Sequence, residues 1–86
     1  MEVYIITFQH GNYAVAAFSR LQGYGLKNIK LIQTPFSIKN ECDICIRAND
    51  SRTLDAVLSE CRNNFPISNV YVGMDRKGSY VYKLLP

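Results

Sequence analysis

No apolar run in the 86 residues approaches the roughly 20 needed to cross a bilayer, and Met1-Glu2-Val3-Tyr4-Ile5-Ile6 has an acid where a secretory leader has basic residues. A cytoplasmic protein with no membrane partner is expected. Cysteine is scarce and odd in number: Cys42, Cys45 and Cys61 cannot complete a disulfide framework, so free thiols are the expectation. Basic residues outnumber acidic ones, giving a formal charge of +3, yet they lie scattered from Arg20 to Lys83 and form no block. Solubility accounts for that surplus as well as a polyanionic partner does. Internal repeats, linkers and low-complexity segments are also missing. With nearly half the residues apolar and a fifth charged, residues 1–86 are expected to make one domain around one core.

What is present is a sequence of clear periodicities. Val3 to Phe8 is a β-branched and aromatic run, apolar on both faces, which predicts a central strand shielded by helices on one side and by something else, a second subunit, on the other. Asn12 is placed to cap a helix whose apolar residues Ala14, Ala17, Phe18 and Leu21 follow the i, i+3, i+4, i+7 rule, with Gly23 and Gly25 ending it. Asn28 to Gln33 resumes a strand pattern that Pro35 stops. A loop then runs to about Glu41, and Asp43 to Arg47 alternates as a third strand with Cys42 in phase with Ile44 and Ile46.

Asn49, Asp50 and Ser51 are alternative caps for a second helix, in which Leu54, Val57, Leu58 and Cys61 repeat the helical spacing. Asn69 to Met74 and Ser79 to Leu84 read as two strands joined by the four-residue turn Asp75-Arg76-Lys77-Gly78. That pairs Met74 with Ser79 and sets Tyr71 opposite Tyr82. The fold class is therefore α+β: a ferredoxin-like split βαββαβ unit with a C-terminal β-hairpin extension, its antiparallel sheet carrying two helices on one face.

The segment Leu31 to Arg47 organises the chain. At Ile32-Gln33-Thr34-Pro35-Phe36, followed by a polar loop and Cys42, the sequence resembles the selenium/sulfur carrier-like family of small bacterial domains. Tyr4-Ile5-Ile6-Thr7-Phe8, the alanine-rich first helix, a glycine before Leu26 and the helix after the cysteine strand extend the resemblance over most of the chain. The family's usual pattern is Pro-Thr-Pro-Arg, a serine-rich loop and Cys-Gly. Thr34, Pro35 and Cys42 match it, while Gln33, Phe36, Lys39-Asn40-Glu41 and Asp43 replace the remaining positions, which makes this a divergent member.

The resemblance implies a cysteine-based carrier or acceptor of sulfur or selenium that works with donor and acceptor proteins, rather than an enzyme in its own right. Cys42 is the candidate thiol, since the thiolate attacks and holds a transferred atom. In a split unit the start of the third strand lies beside the end of the first. His10 and the amides of Gly11 and Asn12 at the first helix turn would then favour an anion there, with Thr34, Pro35 and Lys39 in support. Glu41 and Asp43 flank the thiol and work against that effect.

Competing chemistries are weak. Cys42-Asp43-Ile44-Cys45 has redox-dithiol spacing, but three strand residues span roughly 10 Å, beyond the ~7 Å that a disulfide bridges, and odd spacing sends the two side chains to opposite faces. Zinc would need His10, Cys42, Cys45 and Cys61 to converge, although Cys61 belongs to a helical core stripe. No metal and no cofactor are expected. The third strand lacks the Lys/Arg-Gly-aromatic series of RNA-recognition modules, so no nucleic acid is expected, and Tyr71, Tyr80 and Tyr82 read as packing or interface residues. The alternative to a carrier is a non-catalytic homodimer, paired through the sheet face, in which Cys42 is structural.

Overall fold

Apolar side chains on both faces of Glu2–Phe8 place this strand, β1, in the middle of the sheet. The computed structural model describes residues 2–38 and 42–86. β1 lies between β3 (Ile44–Ala48) and β4 (Ile67–Arg76), while β2 (Ile29–Gln33) and β5 (Ser79–Leu84) form the edges, giving the order β2-β3-β1-β4-β5. Every neighbouring pair is antiparallel. With α1 (Gly11–Gly23) after β1 and α2 (Ser51–Cys61) after β3, the architecture is α+β with the expected element order and the added final strand.

Most of each helical stripe read from the sequence is buried, with Phe18 and Leu58 partly so. Ala14, Ala17 and Leu21 of α1 and Leu54, Val57 and Cys61 of α2 pack with Ile6, Phe8, Ile46 and Ala48 of the sheet, so both helices lie on one face. The α1 cap departs from expectation: it is His10, in extended backbone, and Asn12 sits exposed in the first turn. A Cβ built on Gly11 would meet the Ile44 Cβ at 3.9 Å, an ordinary van der Waals distance, so the helix start lies beside the first residue of β3.

The other caps follow their sequence signals. The Gly25 N–H donates to the Gln22 carbonyl at 2.9 Å and the Leu26 N–H to the Leu21 carbonyl at 3.2 Å, with Gly25 left-handed at φ 81°, which is a Schellman ending. At α2, Asp50 is the cap among the three alternatives, and its side chain accepts the Thr53 N–H at 2.7 Å.

The hairpin register differs by two residues from the expected one. Arg76 pairs with Ser79, Gly73 with Tyr82 and Tyr71 with Leu84, around the two-residue turn Lys77-Gly78, both at positive φ (53° and 86°). Positive φ at both central positions matches the strand twist better than a four-residue loop does. Gly73 also accommodates the aromatic partner, since a Cβ there would fall 2.6 Å from Tyr82 Cε1. A shift of two preserves the side-chain phase, so the expected aromatic and aliphatic faces survive.

Opposite the helices, Ile5 and Cys45 form a second, smaller core with Ile38 from the loop after β2, and Ile32, Tyr71 and Tyr82 pack against it. Much of this face is thus covered within the single chain. Among the described residues no helix is long and apolar enough to cross a membrane.

Candidate functional site

β2 ends in a way that fixes the loop behind it. One bond past the last paired residues, the Thr34 N–H still donates to the Asp43 carbonyl at 2.9 Å; Pro35, lacking a donor, then turns the chain away. The Ile38 N–H closes a turn onto the Pro35 carbonyl at 3.0 Å. Within that turn Phe36 is fully exposed, at 102% of its reference area, whereas Ile38 folds under the sheet at 7%. The loop is held by an aliphatic anchor on one side and displays an aromatic ring to solvent on the other.

Cys42 faces this loop across a short gap. The Thr34 hydroxyl donates to the Cys42 carbonyl, tying the two ends of the loop together. The Cys42 thiol accepts the Phe8 N–H at 3.4 Å and donates to the Ile44 carbonyl. Regular β1–β3 pairing stops at Ile6 and Ile46, and the sulfur satisfies the β1 amide two residues further on. The half-buried thiol therefore lines an open hollow of about 610 Å³ together with Gln33, Thr34, Pro35, Phe36 and Asp43. Asp43 is the one charged residue among the described residues lining it.

The three cysteines occupy different environments. Cys45 is fully buried on the far side of the sheet, and burial pushes its thiol up to about 11. Cys61 is buried between α2 and the sheet, and burial followed by the charge of Glu60 pushes it to the same level. Both are protonated at neutral pH and closed to reagents. Cys42 and Cys45 face apart, as the odd spacing requires.

Thr34, Pro35 and Cys42 are brought together in the hollow. His10 and Asn12 are exposed and do not line it; the His10 ring leans toward Tyr13, with centroids 5.8 Å apart. Gly11, at the start of α1, lies near Ile44, two residues beyond Cys42. Lys39 lies outside the described residues, as do Asn40 and Glu41. Sequence pattern missed three contributors: the Phe8 amide, the Ile44 carbonyl and the Ile38 anchor. The first two are backbone groups with no sequence signature, and an isoleucine in a polar loop is the one signal that pointed to the third.

The protein is a small α+β domain with one half-buried cysteine just before β3, beside the Thr34-Pro35 turn. The profile of the family described as "Putative Se/S carrier protein-like" matches residues 3–72, most of the chain, and the protein belongs to that family. No curated protein and no solved structure gives a match.

Proposed function

We infer that the domain carries sulfur or selenium on Cys42 between partner enzymes. The observation that supports this most is the contrast among the thiols: Cys42 alone of the three borders open space, and it does so beside the Thr34-Pro35 turn that links this chain to its family. In the transfer, the Cys42 thiolate attacks the outer sulfur of a donor persulfide, R–S–SH. A new sulfur–sulfur bond forms as the donor's bond breaks, giving Cys42–S–SH and the donor thiolate, with the proton remaining on the terminal sulfur. No oxidant is consumed. Phe36 and the turn beneath it stand at the rim, where a partner would approach.

Incubation with a small-molecule persulfide followed by peptide mapping tests this directly: Cys42 gains one sulfur, and Cys42→Ser gains none. Uptake by free small thiols in the same mixture without uptake at Cys42 would refute the carrier function.

A second reading, a non-catalytic homodimer paired through the sheet face, draws on the two hydrogen bonds that tie the Cys42 sulfur to the backbone. Here the thiol only completes the end of the β1–β3 ladder. Loss of stability in Cys42→Ser without any persulfide phenotype, together with a dimer mass at micromolar concentration, would favour it.

A further inference from the structure

The two edges of the sheet are finished differently. β2 stops two residues before Pro35, and its exposed residues, Lys30 and Gln33, are polar. β5 pairs with β4 without a break along its whole length, and its exposed residues include Val81 at 56% and Leu84 at 54%. A regular, apolar edge is a template for another strand, and proteins usually blunt one with charges, proline or a bulge. Within β5 the single charge is Lys83.

The backbone groups of this edge can be assigned. The Leu85 N–H donates to the Val70 carbonyl at 2.8 Å, so the odd-numbered residues of β5 turn their hydrogen-bonding groups toward β4. By alternation those of Tyr80, Tyr82 and Leu84 point outward from the edge. Val81 lies directly opposite Met74, which pairs with Glu2 and so shares the helix side of the sheet with Tyr4 and Ile6. Met74 and Val81 are nonetheless outside the core that α1 and α2 seal, because the helices stop short of the hairpin.

We propose that β5 pairs with β5 of a second copy of the chain, antiparallel about a two-fold axis at Val81, joining two sheets into one. The edge selects this occupant because it is complementary to itself in that register. Val81 falls opposite its own counterpart, Tyr80 opposite Tyr82, and Lys83 opposite Ser79, so apolar pairs close on both faces and no like charges meet. The outward groups of Tyr80 and Tyr82 bond each other across the axis. An axis at Tyr82 instead would set Val81 against Lys83 and lose the apolar match. With β1 and β4 standing between β3 and the contact, both Cys42 hollows stay open, and the inference is independent of the carrier reading. So short an edge gives a contact below about 1,200 Å², the range of weak and reversible complexes.

The test is sedimentation of the full chain from about 1 μM to about 1 mM, the span over which a contact this small dissociates, with amide hydrogen exchange at both limits. A reversible dimer is expected, in which the Tyr80 and Tyr82 amides gain protection at the higher concentration. Val81→Lys opposes two cations at the axis and weakens the dimer about tenfold or more, with thermal unfolding of the dilute variant certifying its fold. Mixing Val81→Lys with Val81→Glu restores association that neither variant shows alone. A monomer throughout the range overturns the proposal and leaves the edge to an unlike strand. So does a dimer that Val81→Lys leaves intact, or one whose added protection lies in β2 or is missing, as packing through the sheet face would give.

Discussion

The two faces of the sheet are closed by different means. On one, two helices seal a continuous core running from Phe8 through Ile46 to Val57, built from stripes that repeat at helical spacing. On the other, Ile5 and Cys45 are sealed by a single loop isoleucine, Ile38, with Ile32, Tyr71 and Tyr82 packed against them. The thick side carries the stability of the domain. The thin side carries the loop, so the shape of the hollow around Cys42 rests on few contacts.

The contrast can be broken from either side. Ile46→Ala, on the thick side, removes a fully buried side chain and should cost about 3–4 kcal/mol in urea unfolding. Gly73→Ala places a methyl group against the Tyr82 ring and Val3 on the thin side, for a loss of about 2 kcal/mol. The Tyr82 phenol, whose pKa burial now raises, should then titrate at lower pH as its ring is displaced, which absorbance at alkaline pH would record.

Ile38→Ala sharpens the comparison. It should cost about 1–2 kcal/mol, less than Ile46→Ala, because the anchor sits at the margin of the smaller core. Its specific signature is chemical: Cys45 becomes open to alkylation while Cys61 stays closed, as mass mapping of native protein would show.

The smallest effect concerns the α2 cap. The Asp50 carboxyl is held below its ordinary range by the Thr53 backbone and side-chain hydrogen bonds. Its contribution is therefore present above the unfolded pKa of about 4 and is lost as pH falls through the lower folded value. Asp50→Ala should lower Tm slightly at neutral pH, and the gap from the parent should close in acid.

Helical stripes, a cap among Asn49, Asp50 and Ser51, an ending at Gly23 or Gly25 and the stop at Pro35 were legible because each depends on local chemistry within a few residues. The side on which Cys42 and Cys45 fall was legible too, since strand alternation leaves no freedom. The His10 cap was not, because His10 makes no side-chain cap hydrogen bond and so carries none of the chemistry by which a cap is read. The hairpin register turned on Tyr82 resting over Gly73 and on the twist of a two-residue turn, neither of which pattern alone specifies. Ile38 read as part of a polar loop. Its role as the floor of the site depends on the far side of β1 and β3, which no local window contains.

The central claim is that Cys42 is the one chemically available thiol, and residue-resolved pulsed alkylation of the native protein at neutral pH tests it most directly. Cys42 should label within the first pulses, and Cys45 and Cys61 only at the rate at which the domain unfolds. Labelling of Cys45 or Cys61 as fast as Cys42, or protection of Cys42 to their level, would contradict it.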